Sequence, residues 1–336
     1  MKEALLYEKI EGQLVRCFLC GHHCRIAEGG FGICGVRQNL KGGLYSHVYG
    51  KLIASHIDPI EKKPLYHFLP GSTSYSIATA GCNFRCGFCQ NWQISQVNQR
   101  DGSAPDAPAT SPETVVKNAL QYHCQSISYT YTEPTIFFEY AYDCAMLAHT
   151  KGLKNVFVTN GFMSKEALEM VRPYLDAANV DLKYFKDESY AKVCGARLQP
   201  VLDTIKLMHR LGIWVEVTTL VVPGSNDSDN ELREIAEFIA SVDVNVPWHI
   251  SRFFPQYKMD DLDATPEETL KKAEKFGRAA GLRYIYVGNV TGGWGNDTFC
   301  HQCRKLLLKR EGFSILESNI NAGRCTSCQA VVPGVF

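Results

Sequence analysis

The sequence predicts an α/β protein built as a parallel (β/α) barrel, partial or nearly closed and TIM-like, with small cysteine-rich modules at its N- and C-terminal ends. Seven short apolar strand candidates alternate with segments that can hold helices, the pattern of a parallel sheet buried on both faces. Polar motifs recur at or near the ends of those strands, as on the active face of a barrel. All of the 14 cysteines except Cys124, Cys144 and Cys194 fall into three groups. These groups mark a four-cysteine module at 1–70, a core barrel at 71–291 and a zinc-ribbon-like module at 292–336.

The strand candidates are justified in order. The apolar run Tyr75-Ser76-Ile77-Ala78-Thr79-Ala80 feeds a cysteine loop. Ser126 to Tyr131, Asn155 to Thr159, Ala178 to Lys183, Trp214 to Val222, Trp248 to Phe253 and Arg283 to Val287 follow. Between them, Ser111-Pro112-Glu113 supplies a cap, a proline at the first helical position and an acid for the first turn. Ser164-Lys165-Glu166 and Thr265-Pro266-Glu267 mark further helix starts. The polar, Pro- and Ala-rich stretch from Asn98 to Thr110 reads as an exposed connection. Cys124, Cys144 and Cys194 read as small buried apolar residues.

Composition narrows the classes. The chain has 336 residues, 45% hydrophobic and 21% charged, which fits a folded barrel-sized core and excludes a disordered or fibrous chain. Lys plus Arg equals Asp plus Glu at 35 each, so no global field draws the protein to nucleic acid. The first residues carry acids and no apolar core, and no run is long enough for a membrane span; a cytoplasmic location is expected. Cysteines paired as C-x-x-C without an export signal then read as metal ligands in a reducing compartment.

The most informative run is Gly81-Cys82-Asn83-Phe84-Arg85-Cys86-Gly87-Phe88-Cys89-Gln90-Asn91. Four thiolates close a 4Fe-4S cluster, whereas Cys82, Cys86 and Cys89 alone leave one iron without a protein ligand. A zinc knuckle would need a fourth ligand nearby, and this loop offers none. Polar residues follow at later strand ends: Thr132-Glu133-Pro134, Thr159-Asn160-Gly161, Asp181-Leu182-Lys183, Glu216 with Thr218 and Thr219, His249 with Arg252, and Gly288-Asn289-Val290. In a barrel they converge with the cysteine loop.

The C-x-x-x-C-x-x-C spacing with Phe88 before its last cysteine resembles the radical S-adenosylmethionine enzymes. From about Ser74 to Val290 the chain is similar to their pyruvate formate-lyase-activating branch. That resemblance implies a 4Fe-4S cluster on Cys82, Cys86 and Cys89, with S-adenosylmethionine chelating the open iron and being cleaved to a 5'-deoxyadenosyl radical. It places Glu133, Asn160, Asp181 and Lys183 at the cofactor and Phe88 near its adenine. Only Glu133-Pro134 of the family's Gly-Gly-Glu-Pro is kept, with Tyr131 and Thr132 in place of the glycines. Val158 replaces the leading acid of Asp-Thr-Asn-Gly, which counts against a monovalent-cation site. Val221-Val222-Pro223-Gly224 also matches, but the arginine expected upstream is absent and Thr218 is nearest its place. Glu216, His249 and Arg252 are the expected substrate-face residues; no catalytic residue is assigned beyond the cofactor ligands.

Cys300, Cys303, Cys325 and Cys328 have the paired spacing of a structural zinc site. Cys17, Cys20, Cys24 and Cys34 suit either zinc or an auxiliary cluster, with His22 and His23 as substitute ligands. The whole layout resembles the AmmeMemoRadiSam subfamily, which implies Memo-like and AMMECR-like protein partners alongside a low-potential electron donor such as flavodoxin or ferredoxin. The expected activity is hydrogen abstraction from a protein or small-molecule substrate, either activating a glycyl-radical partner or modifying or alkylating a substrate in the barrel. A non-catalytic RNA- or protein-interaction module that keeps a cluster for structure is the rival; neutral charge and the lack of an aromatic-basic motif oppose it.

Overall fold

The computed structural model describes residues 1–97, 107–290 and 292–336. Its centre is an eight-stranded sheet in sequential order, β1 Leu52–Pro59, β2 Thr73–Thr79, β3 Ser126–Tyr129, β4 Lys154–Thr159, β5 Ala177–Asp181, β6 Trp214–Val221, β7 Trp248–Arg252 and β8 Ile285–Gly288. From β2 to β8 every neighbour is parallel. β1 and β8 are the two edges of the sheet, so the barrel is open. The strand interiors are buried on both faces because helices cover the outside and side chains fill the inside.

The seven expected strands are present. The eighth is not anticipated by the sequence pattern: β1 runs antiparallel to β2 and comes from residues assigned to the N-terminal module. Its sequence Ser55-His56-Ile57-Asp58 lacks the apolar run of a central strand, because an edge strand need not be buried on both sides.

Helices α1 Pro112–Gln121, α2 Phe138–Thr150, α3 Lys165–Val171, α4 Leu198–Arg210, α5 Asp229–Val242 and α6 Glu267–Ala279 fill the crossovers. Ser111 and Ser164 cap α1 and α3 through their side chains, accepting from Thr114 N and Ala167 N. At α6 the expected threonine cap does another task. Thr265 Oγ1 accepts from Phe253 N at 2.9 Å and donates to Val221 O at 2.6 Å, stitching β6 and β7 together beyond the helix start. Of the connection expected from Asn98 to Thr110, residues 98–106 lie outside the described residues, and Ala109 forms an isolated antiparallel bridge with Lys51. No helix among the described residues is long and apolar enough to cross a membrane.

The two ends of the chain cover different ends of the barrel. Two small antiparallel sheets, one with Tyr7–Lys9, Val15–Cys17 and Arg25–Ile26 and one with Lys2–Glu3, Gly43–Ser46 and Arg37–Leu40, form the N-terminal module. It packs on the face where the parallel strands end, with Cys20 bridging Met163 and Gly21 N donating to Phe162 O at 3.1 Å. The tail, whose hairpin pairs Leu306–Glu311 with Ser314–Ser318, docks where those strands begin. There Val335 bridges Phe68, and Arg310 Nη2 donates to Tyr66 O at 2.9 Å.

A buried polar network anchors that docking. Glu216, the third residue of β6, accepts from Tyr66 N and His67 N at 3.0 and 2.8 Å, from Trp214 Nε1 at 3.0 Å, and faces His249 Nε2 at 2.6 Å. His67 in turn contacts Pro333 O at 2.7 Å and the Tyr286 hydroxyl at 2.6 Å. Burial holds the His67 imidazole down, at about 4. The unfolded chain therefore takes up a proton that the folded one refuses once the pH falls below His67's ordinary 6.5, so this histidine's contribution is present above that pH and lost below it. Stability is expected to fall by about 3 kcal/mol between pH 6.5 and 4 on this account. Unfolding midpoints measured across that range should show the slope in the native chain and a flatter one in His67→Gln; parallel profiles would contradict the assignment.

Candidate active site

The cysteine loop leaves β2 at the sheet's C-terminal face through Gly81, whose φ is +100°. A Cβ there would lie 2.7 Å from Val36 Cγ1 and 3.3 Å from Cys34 O, so the turn is available to glycine alone and sits hard against the N-terminal module. Two further bonds hold the loop in place. His22 Nε2 lies 2.8 Å from Asn83 O, and Asn160 Nδ2 donates to Asn83 Oδ1 at 2.7 Å. Phe84 N donates to Cys82 Sγ at 3.3 Å, and Cys89 Sγ lies 3.1 Å from Ser95 Oγ.

Asn83 itself is buried, and its Nδ2 donor has no partner among the described residues. An orphan donor beside Cys82 is costly in a bare protein and would be satisfied by a sulfur-rich group seated in the loop. Three cysteines with no fourth in the loop, together with this donor, fit an iron–sulfur cluster.

Glu133 organises the strand ends next to the loop. It is 1% exposed, and its Oε1 accepts from Thr135 N, Thr135 Oγ1 and Thr159 Oγ1 at 3.0, 2.6 and 2.7 Å. Its Oε2 accepts from Asn160 N at 2.8 Å. Burial raises its carboxyl, and the donors from Asn160, Thr135 and Thr159 oppose that rise. Burial likewise pushes the Cys82 thiol up, and the Glu133 carboxylate adds to it. An iron centre held by Cys82 would reverse that balance, because a coordinated thiol is deprotonated outright.

Across the face, Lys183 Nζ pairs with Asp181 Oδ2 at 2.7 Å at the end of β5. Burial pulls the Lys183 ammonium down, but Asp181 and the Cys86 thiolate together hold it well above the ordinary lysine value. The same ammonium lies 5.7 Å from the centre of the Phe88 ring, which is buried and packs on Tyr184. Cys86, Phe88, Asp181 and Lys183 thus form one wall, and Cys82, Glu133 and Asn160 another.

Two expected substrate residues lie elsewhere. Glu216 and His249 sit in the first halves of β6 and β7, at the tail-covered end, and both Glu216 oxygens are occupied by the network described above. The sequence pattern assigns polar strand residues to the C-terminal mouth; the register places these two toward the other end. Arg252, at the last position of β7, does lie on the active side, with Nε donating to Thr265 O at 2.8 Å and the guanidinium 5.2 Å from the Phe254 ring.

Several site residues are not singled out by the sequence. Asn83 carries no motif of its own, and His22, expected as a substitute metal ligand, instead reaches the Asn83 carbonyl. Cys194, expected to be a small buried apolar residue, lies close enough to Cys86 to be the main influence lowering its thiol, against burial and with help from Lys183. The segment before it covers the loop, with Arg85 N and Gly87 N donating to Cys194 O and Val193 O. Inside the barrel, Lys63 is buried on Asp58 at 2.6 Å, with the Tyr131 hydroxyl bonded to the same carboxylate.

The two terminal cysteine groups differ. Among the described residues, Cys300, Cys303, Cys325 and Cys328 are the one set whose ligand atoms all lie within 4.8 Å of one another. Cys300 Sγ is 3.6 Å from Cys328 Sγ, and Cys303 Sγ is 3.7 Å from Cys325 Sγ. Four sulfurs around one ion at about 2.3 Å stand about 3.8 Å apart, so this set is gathered for a single tetrahedral metal.

Comparison with known proteins agrees with this geometry. The model of the Radical SAM superfamily matches residues 76–239, from β2 through most of α5. An uncharacterized protein of Methanocaldococcus jannaschii is 46% identical over 331 residues, spanning 98% of each chain. The pyruvate formate-lyase-activating enzyme of Clostridium pasteurianum is 24% identical over 217 residues, 58% of this chain and 86% of that one. In structure, a radical SAM methyltransferase from Sphaerobacter thermophilus overlaps 68% of this chain and 71% of its own with a TM-score of 0.52 at 15% identity, a likeness of fold. The chain belongs to the radical S-adenosylmethionine superfamily and is an enzyme of that class, which brings with it S-adenosylmethionine and an iron–sulfur cluster.

The pinned loop makes Gly81→Ala informative. The added methyl meets Val36 and forces a left-handed backbone, costing about 2 kcal/mol or more. Reconstituted protein should show a lower thermal midpoint and less iron per chain; unchanged values for both would mean that the Val36 contact does not hold the loop.

Proposed function

We propose that this protein reductively cleaves S-adenosylmethionine and abstracts hydrogen from a protein or small-molecule substrate held at the open face of the barrel. The observation that carries the reading is the three-cysteine loop beside the buried, partnerless Asn83 Nδ2. Cys82, Cys86 and Cys89 hold a 4Fe-4S cluster and leave one iron for the cofactor. Bound there, cluster and cofactor supply an electron and a 5'-deoxyadenosyl radical; the protein supplies placement.

Each named residue then has a physical task. Lys183, fixed by Asp181, presents an ammonium to the methionyl carboxylate, a charge-assisted contact. Glu133 has one Oε1 crowded by three donors and keeps acceptor capacity at Oε2, so it receives the methionyl amino group there while holding Asn160 in place. Phe88 closes the wall next to Lys183 and offers an apolar face for the adenine. Cys194 lies close to Cys86, and the segment before it, bonded to Arg85 N and Gly87 N, shields the loop from water.

The names of the relatives favour a protein substrate activated through a glycyl radical, since one is a pyruvate formate-lyase-activating enzyme and another a putative glycyl-radical enzyme activating enzyme. Modification or alkylation of a substrate in the barrel is the second reading, and the buried Lys63, Asp58 and Tyr131 cluster inside the barrel supports it. The electron donor is of the flavodoxin or ferredoxin class, and the cysteine layout at both ends favours Memo-like and AMMECR-like partners. The tail holds structural zinc, matching its sulfur spacing.

Reconstituted protein incubated anaerobically with a low-potential reductant and S-adenosylmethionine should release 5'-deoxyadenosine, and Cys86→Ala should release none; a fully loaded cluster that yields none would favour the interaction module instead. Lys183→Ala should weaken S-adenosylmethionine binding by about one to two decades while leaving cluster absorbance unchanged. Anaerobic calorimetric titration checks this, and an unchanged affinity would return Lys183 to a structural role.

A further inference from the structure

We propose that Cys17, Cys20, Cys24 and Cys34 hold a second iron–sulfur cluster, not zinc, in direct contact with the active-site loop. The four cysteines line one small cavity together with Arg37 and with Thr135-Ile136. The tail cysteines, by contrast, have closed to the spacing of one ion. One protein therefore presents two four-cysteine groups, of which the tail's alone is gathered within 4.8 Å among the described residues. Among the described residues the N-terminal sulfurs are not drawn together within 4.8 Å as the tail's are, which suits a four-iron core that places each thiolate on its own corner and fills the centre with iron and sulfide.

The second observation is Arg37. It is 1% exposed and lines the cavity; its Nη2 is taken by Glu139, but its Nε and Nη1 donors have no partner among the described residues. Two orphan donors on a buried cation are expensive unless acceptors arrive with a ligand. Tetrathiolate zinc offers only its four thiolates, all on the metal. An iron–sulfur cluster adds inorganic sulfides facing outward, and hydrogen bonds to those sulfurs are one of the means by which a protein sets cluster potential.

Position gives the site its meaning. His22, inside the Cys20 to Cys24 loop, contacts Asn83 O next to Cys82, and Cys34 O lies against the Gly81 turn. Thr135, in the cavity wall, is the residue that donates twice to Glu133. Whatever fills this cavity therefore touches the elements that set the geometry of the Cys82 loop and of Glu133.

The test uses the full chain, reconstituted anaerobically, and does not depend on the Cys82 loop being the cofactor site. In Cys82→Ala/Cys86→Ala/Cys89→Ala, about four iron and four sulfide per chain should remain, with about one zinc and a four-iron Mössbauer signature. Adding Cys20→Ser should remove that iron and spare the zinc. Two zinc and no iron in the triple variant, or iron that survives Cys20→Ser, would overturn the proposal. Should the variants fail to fold, the unmodified protein decides: about eight iron and one zinc support a second cluster, and about four iron with two zinc exclude it.

Discussion

The site depends on one buried carboxylate. Glu133 is out of reach of bulk water, and it stays there because four hydrogen bonds from Thr135, Thr159 and Asn160 meet its two oxygens. Those donors belong to the end of β4 and to the turn after β3, so the carboxylate fixes the distance between two neighbouring strand ends. Asn160, oriented by that bond, reaches Asn83 and thereby the cysteine loop. Loss of this acceptor would leave several buried donors unpaired at once, at a cost of about 1–3 kcal/mol for each. The same carboxylate thus serves folding and, under the proposed function, the placement of the reactive centre.

The barrel keeps its chemistry and its scaffolding at opposite ends. At the C-terminal ends of the strands, the N-terminal module presses on the cysteine loop through Val36, Cys34 and His22. At the other end, Glu216, His249 and His67 knit strands, the β1–β2 connection and tail into a buried polar plug. A carboxylate, two imidazoles and a tyrosine hydroxyl in such a place are satisfied by one another and have no need of a ligand. The tail's tightly gathered sulfurs fit that structural role, because a closed metal site stabilises a short chain with a small core of its own.

Much of this is legible in the residues. The parallel strands stand out as apolar runs, and Ser111 and Ser164 mark helix starts where the structure has them. The cysteine loop and Asp181-Leu182-Lys183 are readable because chemistry demands fixed spacing over a few residues. What is hidden depends on long-range register. β1 looks polar because an edge strand needs one covered side only, and Glu216 and His249 are expected at the wrong end because a strand's sequence does not tell how far along it the mouth begins. Asn83, Cys194 and Arg37 carry no motif of their own; their importance arises from what lies beside them, 77 residues away in the case of Asn83 and Asn160.

The central claim is that one iron of the Cys82, Cys86 and Cys89 cluster is open to the cofactor. Electron–nuclear double resonance of the reduced protein with S-adenosylmethionine labelled at the methionyl nitrogen and carboxylate oxygen tests it most directly. Hyperfine coupling from both labels to the cluster is the predicted result. Their absence from a loaded cluster, with Cys194 or another side chain occupying the fourth iron, would contradict it.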